Sequence, residues 1–242
     1  MNYPISIKES TPSTIAEFVA NDFRTAEVFK RFGLDFCCGG KKSLENACKE
    51  KGIDYEELST ALSEVDLTRD QHQLQFNEME LGDLIDHIQN THHHYVRSNI
   101  PLIQEFMDKV VRVHGEANPE LLEISKHWAQ LSRELQLHMH KEENILFPSI
   151  REKAQGLNRS NAVDSSCFGS IRNPISVMEL EHDQAGTTLR IIRELSNGYT
   201  PPPHACNTYR VLYFKLEEFE NDLHTHVHLE NNILFPKAIA ME

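Results

Sequence analysis

HMHKEENILFP (residues 138–148) is repeated as HVHLENNILFP (residues 226–236), 88 residues further along the chain. In each copy a histidine precedes a glutamate by four positions, and the copy ends in Ile-Leu-Phe-Pro. Positions four apart lie on the same face of an α-helix, one turn from each other. The repeat therefore predicts two helices that each present one histidine and one glutamate side by side.

Four amphipathic helices are predicted over residues 78–242. The first begins near Glu80, with a kink or break expected at Pro101. The second and third begin at Asn-Pro pairs, in which an N-cap residue precedes a proline at the first helical position. The second is expected to end by Pro148, and the fourth to run from about His204 to Pro236. Two helical hairpins that end in the same motif predict an all-α, antiparallel up-down-up-down four-helix bundle.

A small helical N-terminal domain is predicted from residues 1–68, where short apolar runs are separated by helix-capping residues and glycines. It contains the turn Cys-Cys-Gly-Gly at residues 37–40. Residues 69–77 are interpreted as a polar linker, and residues 78–242 as the bundle domain. None of the 14 histidines precedes His72, which indicates that the two domains serve different purposes.

The helices that contain the repeat place its histidine and glutamate among apolar residues. In both helices these residues recur in alternating steps of four and three, which trace the stripe that faces a bundle interior. The two stripes are Ile124, Trp128, Leu131, Leu135, His138, Glu142 and Ile145, and Leu212, Leu216, Phe219, Leu223, His226, Glu230 and Ile233. The repeat is therefore expected to point its four polar side chains into the core.

Two further histidines extend this set to the other helices. His182 lies on the apolar stripe of the third helix, and His87 follows Leu84 by three residues in the first. Both lie near the beginnings of their helices, and in an antiparallel hairpin the beginning of one helix faces the end of the next. One layer of the bundle is therefore expected to contain His87, His138, Glu142, His182, His226 and Glu230.

A metal site is the simplest explanation for this layer. Burying a lone carboxylate costs several kcal/mol or leaves it protonated, and no lysine or arginine lies on these stripes. Four imidazoles and two carboxylates exceed the ligands of one tetrahedral zinc ion. Two ions bridged by both glutamates would each have two histidine ligands, and an oxo or hydroxo bridge would still leave one position open. Such ligands favour non-haem iron, with manganese as the main alternative.

The other histidines near the motif are interpreted as surface residues. His140, His224 and His228 lie two positions from a proposed ligand, about 200° around the helix, and are expected to face solvent. The three consecutive histidines at 92–94 would fan over a helix surface and are not included among the ligands.

Cys37 and Cys38 lie in the predicted turn, and two kinds of role are open for them. Adjacent Cα atoms are about 3.8 Å apart, so an ordinary disulfide between these two cysteines would be strained. Small cysteines in a turn can pack as structural residues. Thiols near helix N-termini and lysines can instead be activated, which would suit redox chemistry, iron handling or contact with a partner.

Composition narrows the classes of function. The net charge of −13, from 24 basic and 37 acidic residues, argues against nucleic acid or an anionic membrane as the main partner. No stretch approaches the roughly 20 apolar residues of a membrane span, and the first residues lack the apolar core of a signal peptide. Five cysteines in this length do not form a disulfide framework. A cytoplasmic protein is expected.

The combined motifs resemble the Repair of Iron Centres family, the YtfE/ScdA type of iron–sulfur cluster repair protein. They are DFCCGG (35–40), IDHI (85–88), EHD (181–183) and the two repeated stretches, and they span nearly the whole chain. The resemblance implies a hemerythrin-like bundle and a homodimer. The di-iron ligands it implies are His87, His138, Glu142, His182, His226 and Glu230. Oxygen-carrying hemerythrins use five histidines, so the four aligned here argue against reversible oxygen carriage.

The resemblance also implies a function. The protein would supply iron to iron–sulfur proteins damaged by nitrosative or oxidative stress, rather than act as a conventional turnover enzyme. One alternative is an enzyme that reduces or detoxifies nitrogen oxides, because a ferrous pair with open positions could bind nitric oxide. Another is an oxygen- or redox-sensing iron-binding module, in which the N-terminal domain signals the state of the metal.

Overall fold

The computed structural model describes residues 14–37, 39–67, 76–156 and 169–242. The chain divides into two compact units, Met1–Asn77 and Glu78–Glu242. The described residues contain helices and one isolated β-bridge between Thr14 and Ser43, but no β-strand. The all-α prediction is therefore confirmed. None of the helices in these ranges is both long and apolar enough to span a membrane.

The N-terminal unit contains four short helices: α1 (Ile15–Asn21), α2 (Thr25–Arg31), α3 (Leu44–Lys51) and α4 (Tyr55–Leu67). Thr14 and Glu17 form a reciprocal capping box at the start of α1, and the Ser43 hydroxyl accepts a hydrogen bond at the start of α3. The helices pack around a core that includes Ile15, Val19, Phe29 and Leu58. Helix-capping side chains and one apolar cluster therefore stabilise the short helices of this unit.

The predicted linker is partly described. Residues 69–75 lie outside the described residues, whereas Phe76–Glu78 form a short 3-10 turn. The ring of Phe76 packs edge-on against Phe23 with 6.0 Å between centroids, and the Asn77 amide donates a hydrogen bond to the carbonyl of Ala20. Residues 76 and 77 therefore pack within the N-terminal unit.

Four long helices form the second unit, and three of them contain a π segment. Bundle helix 1 consists of α5 (Leu81–His87), π1 (Ile88–His93) and α6 (His94–His114). Bundle helix 2 consists of α7 (Glu120–Lys141), π2 (Glu142–Leu146) and α8 (Phe147–Ala154). Bundle helix 3 is α9 (Arg172–Leu195). Bundle helix 4 consists of α10 (Asn207–Leu229), π3 (Glu230–Leu234) and α11 (Phe235–Ile239).

These four helices enclose a common core. α6 contacts α7 and α10, and α9 contacts the same two helices, so consecutive helices are neighbours around the bundle. Trp128 and Phe219 meet edge-to-face in the interior with 4.9 Å between ring centroids. The predicted four-helix bundle is confirmed, and its core brings the predicted interior stripes together.

The helix break that was one alternative at Pro101, and the helix ends predicted at Pro148 and Pro236, were wrong. α6 continues through Pro101, where Ile100 and Ile103 on either side are buried in the core. Bundle helices 2 and 4 continue past Pro148 and Pro236, which lie in the first turns of α8 and α11. Proline lacks a backbone N–H, but the π segment just before it already interrupts the usual hydrogen-bond ladder. The helix can therefore resume at the proline.

The π segments also rotate the helix relative to a simple heptad pattern. A π turn holds more residues than an α turn, so the side chains that follow it move around the axis. Ile145 was predicted to face the core but is 40% exposed, whereas Leu146 is 2% exposed. In bundle helix 4 both Ile233 and Leu234 are buried. The prediction for Ile145 was wrong because a heptad count assumes regular α-helix throughout.

We expect Gly40→Ala to destabilise the N-terminal unit. The Gly40 carbonyl accepts a hydrogen bond from the Ala16 amide, and a Cβ at position 40 would lie 2.4 Å from the Phe36 carbonyl oxygen and 2.9 Å from the Ala16 Cβ. Relieving such overpacking should cost about 1–3 kcal/mol. The measurement is chemical denaturation of the full chain followed by circular dichroism. Gly39→Ala is the control, because its nearest contacts are 3.3 Å away; equal destabilisation by both changes would contradict the expectation.

Candidate metal centre

Two groups of buried side chains converge in the layer where the helices contain π segments. Within each group the ligand atoms all lie within 4.8 Å of one another. The first group is His93, Glu142, His226 and Glu230, and the second is His138, Glu142, His182 and Glu230. Both glutamates thus belong to both groups. The arrangement matches what two neighbouring cations with shared carboxylates would require.

Each bundle helix supplies part of this layer. Bundle helices 2 and 4 supply a histidine and a glutamate each, while helices 1 and 3 supply one histidine each. Within the first group His93 Nε2 lies 3.2 Å from His226 Nε2. Within the second group His182 Nε2 lies 2.9 Å from His138 Nε2. All four histidines therefore direct the same ring nitrogen towards the centre.

The two glutamates each direct one oxygen to each histidine pair. Glu142 Oε1 lies 3.3 Å from His138 Nε2, and its Oε2 lies 3.4 Å from His93 Nε2. Glu230 Oε1 lies 3.1 Å from His226 Nε2, and its Oε2 lies 3.2 Å from His182 Nε2. A carboxylate in this orientation can bridge two cations.

The glutamate oxygens also show that a cation fits. Both side chains are 0% exposed, yet no described group forms a hydrogen bond with either oxygen of Glu142 or with Oε2 of Glu230. Unsatisfied buried carboxylate oxygens are costly unless they are paired or bind a metal. Oxygen and imidazole nitrogen are donors that suit iron, manganese and zinc.

Electrostatics keep both carboxylates ionised. Burial and the charge of Glu230 raise the pKa of Glu142, but His138 and His93 outweigh them and hold it below its usual value. Burial likewise raises the pKa of Glu230, and His226 and His182 reverse the effect and hold this pKa well below its usual value. Both carboxylates are therefore held in the ionised form that can bind a cation.

Three of the four histidines are oriented by a partner at their other ring nitrogen. His93 Nδ1 lies 2.6 Å from Glu143 Oε1, whose second oxygen accepts a hydrogen bond from Arg97 at 2.5 Å. His182 Nδ1 lies 2.8 Å from Asn231 Oδ1. An acceptor at Nδ1 fixes the tautomer that leaves Nε2 able to bind a metal.

The third oriented histidine has a carboxylate partner that is itself paired with a lysine. His138 Nδ1 lies 2.9 Å from Glu181 Oε2, and Lys141 bonds to Oε1 of the same residue. The hydrogen bond from His138 lowers the pKa of Glu181 to about 2; burial opposes this and Lys141 assists it. His226 differs, because no described group bonds to its Nδ1.

The structure brings together five of the six residues that the sequence assigned to this layer, and places His93 where His87 was predicted. His87 is partly buried on α5 and belongs to neither donor group, with its ring 5.7 Å from that of His92. His93 is fully buried at the end of π1. The sequence contains a signal for this position. Alternating steps of three and four lead back to His93 along Val110, Met107, Ile103, Ile100 and Val96.

Three histidines that were interpreted as surface residues are buried, namely His92, His93 and His228. Within the triplet at 92–94, both His92 and His93 are buried, because π1 turns consecutive residues inward. His92 Nδ1 lies 2.9 Å from Asp222 Oδ1, and its ring stacks on that of His226 at 5.6 Å. His228 is buried as well, at the end of α10 where bundle helix 4 is covered on several sides.

Cys37 is buried in the N-terminal unit. Its backbone N–H donates to Asp35 Oδ1 at 2.9 Å, and its thiol donates to the same oxygen at 3.1 Å. Cys38 lies outside the described residues. The contacts of Cys37 are those of a thiol held within a turn.

A cavity of about 130 Å³ lies beside the second donor group. His138 and His182 line it, together with Glu134, Lys141 and Glu181. The two charged residues that orient His138 therefore also border the space next to it. A small molecule or ion in this cavity would contact the second group directly.

Comparison with known proteins identifies both units. Residues 11–66 match the ScdA N-terminal domain, described as a domain of unknown function, and residues 84–238 match the hemerythrin HHE cation binding domain. Iron-sulfur cluster repair protein YtfE of Escherichia coli O8 (strain IAI1) is 37% identical over 219 residues, which cover 90% of this chain and 93% of that protein. YtfE of Shigella boydii serotype 4 (strain Sb227) and of Citrobacter koseri match to the same extent. This chain therefore belongs to the YtfE family of iron–sulfur cluster repair proteins, with an ScdA N-terminal domain before a hemerythrin HHE domain.

Proposed function

We propose that this protein binds two iron ions and supplies iron to iron–sulfur proteins whose clusters nitrosative or oxidative stress has damaged. The observation that carries the proposal is the pair of shared glutamates, Glu142 and Glu230, each of which directs one oxygen to each histidine pair. The name of the relatives, iron-sulfur cluster repair protein, supports the class of client. The protein would act by donating its iron rather than as a conventional turnover enzyme.

Six residues are proposed to hold the two ions, and one differs from the set expected from the sequence. His93 takes the place of His87, because His93 Nε2 lies among the other donor atoms and His87 belongs to neither group. The proposed ligands are His93, His138, Glu142, His182, His226 and Glu230. The first ion would be held by the first donor group and the second ion by the second.

This ligand set suits iron that must be released. Each ion would have two imidazole nitrogens and two carboxylate oxygens, and with an oxo or hydroxo bridge between the ions one octahedral position would stay open. Neither donor group contains a thiolate, so the ions would be held by exchangeable ligands. The cavity beside His138 and His182 supports an exit on the side of the second group.

A nitric-oxide-reactive enzyme is the second candidate function. The cavity favours it, because a space of about 130 Å³ next to His138 and His182 is large enough for a diatomic molecule. An open position on each ion of a ferrous pair would let nitric oxide bind and be reduced. The two candidates use the same site and differ in whether the reaction turns over.

Compartment and assembly are part of the proposal. Cys48 and Cys206 form no disulfide, and the Cys37 thiol donates a hydrogen bond to Asp35, which supports a reducing compartment such as the cytoplasm. Exposed apolar side chains on the bundle, such as Phe214 and Leu137, support association into a homodimer. Cys37 and Cys38 are proposed to serve redox chemistry or contact with a partner.

We expect His93→Asn to lower the iron content from two ions per chain to about one. The change removes an imidazole from the first donor group only and leaves the second group intact. His87→Asn is the matched control, because it changes a histidine six residues away on the same bundle helix. Iron is measured by mass spectrometry of the purified chains. Loss of an iron in His87→Asn, with full content in His93→Asn, would restore the ligand set expected from the sequence.

The residues that orient the histidines give a second test. We expect Glu143→Gln to weaken iron binding at the first group and Glu181→Gln at the second, each by about 10- to 100-fold, because each loses the carboxylate that holds a ligand histidine. Competition with a chromogenic chelator resolves the two binding steps, and each variant serves as the control for the other. Equal weakening of both steps by each variant would contradict separate orienting roles.

A functional assay separates repair from turnover. We expect the iron-loaded protein to restore the activity of a dehydratase with a damaged cluster beyond what the same amount of free ferrous iron restores. His138→Asn combined with His182→Asn should lose this excess, because it removes both imidazoles of the second group. Recovery equal to that with free iron would contradict repair. Repeated reduction of nitric oxide by the diferrous protein under anaerobic conditions would instead support the enzyme.

A further inference from the structure

A second cluster of reactive side chains lies where the α6–α7 and α9–α10 connections meet. The sulfur of Cys206 lies 3.2 Å from His114 Nε2. His114 is the last residue of α6, and Cys206 immediately precedes α10. His114 lies 21 positions after His93, so the cluster lies about 30 Å along bundle helix 1 from the candidate metal centre.

The surroundings keep this pair aligned. The ring of His114 packs against that of Tyr209 with 5.4 Å between centroids, which fixes its plane. A further histidine, His204, lies 6.5 Å from His114 between ring centroids and is bonded to Asn118 Oδ1 at 3.1 Å. Cys206 is exposed, and its side chain makes no capping hydrogen bond at the start of α10. The sulfur is therefore open to solvent, with an imidazole nitrogen as its neighbour.

We propose that Cys206 is a nucleophilic thiol, that His114 is its base, and that hydroperoxides are its substrates. The thiolate is the reactive form of cysteine, and an imidazole nitrogen within hydrogen-bond reach can accept the thiol proton. The two residues come from different helices, and no ligand of the candidate metal centre takes part. The proposal does not depend on the repair function.

The chemistry balances between these two side chains and one peroxide molecule. His114 Nε2 takes the proton of the thiol, and the sulfur attacks one oxygen of the peroxide. A sulfur–oxygen bond forms as the oxygen–oxygen bond breaks, and the departing alkoxide or hydroxide takes the proton from the imidazolium. Cys206 is oxidised to a sulfenic acid, and the hydroperoxide is reduced to an alcohol, or hydrogen peroxide to water.

The test is the rate at which Cys206 is modified in the iron-loaded chain. The rate of alkylation by iodoacetamide at pH 7 measures the nucleophilicity of the Cys206 thiol. Dimedone traps the sulfenic acid that forms at Cys206 after hydrogen peroxide is added. Both products are read residue by residue by mass spectrometry, so peroxide consumed at the metal centre does not enter the measurement. Cys48 is the internal reference, because it is buried and burial raises the pKa of its thiol.

His114→Phe should lower both rates at Cys206 about tenfold, because the sulfur would lose the imidazole nitrogen that lies 3.2 Å away and accepts its proton. Phenylalanine keeps the ring packed against Tyr209 and removes the base. His140→Gln changes an exposed histidine on bundle helix 2 and should leave both rates unchanged. Unchanged rates in His114→Phe, or no dimedone adduct at Cys206 in the unmodified chain, would overturn the proposal. If His114→Phe unfolds at a lower temperature, His114→Gln gives the same comparison without the larger ring.

Discussion

The bundle depends on two buried glutamates whose oxygens receive too few hydrogen bonds from the protein. Glu142 and Glu230 are fully buried between four helices, and three of their four oxygens form no hydrogen bond with the described residues. A carboxylate in this position is costly unless a cation or a charged partner compensates it. The four surrounding imidazoles keep both groups ionised, and their own geometry leaves Nε2 directed at the same point. The layer is thus built to hold positive charge, at the expense of the apolar packing that the same positions would otherwise provide.

Local helix geometry makes this convergence possible. Glu142 and Glu230 each begin a π segment, and His93 ends one. A π turn widens the helix and changes which side chains face inward, and His93, at the end of π1, is fully buried among the other donor atoms. The proline that ends each repeated motif fits this geometry, because the π segment has already disrupted the backbone hydrogen bonds that proline would break. The repeated motif therefore specifies a π segment as well as a pair of proposed ligands.

Most of the fold and five of the six proposed ligands could be predicted from the sequence, because they follow from regular helical periodicity. The alternation of three and four positions places His138 and His226 in the core and continues to do so one turn later, at their glutamates. The sixth proposed ligand, His93, could not be predicted from the short apolar run around His87. In bundle helix 1 the nearest regular stripe lies on the far side of π1, and only steps counted back from Val110 lead to His93. Helical periodicity no longer predicts which side chains face the core where a helix is irregular. In this bundle the irregular π segments lie at the candidate metal centre.

The two donor groups are chemically unequal, and this bears on how iron would leave. His138 is oriented by Glu181, and that carboxylate borders the cavity together with Lys141. His93 is oriented by Glu143, which is tied to Arg97, and neither histidine of the first group lines the cavity. An approaching client or chelator could compete with Lys141 for Glu181 and so loosen His138 without disturbing the first group. Under the proposed function the second ion would therefore be the one transferred, while the first, enclosed by bundle helices 1 and 4, would keep the shared glutamates in place for reloading.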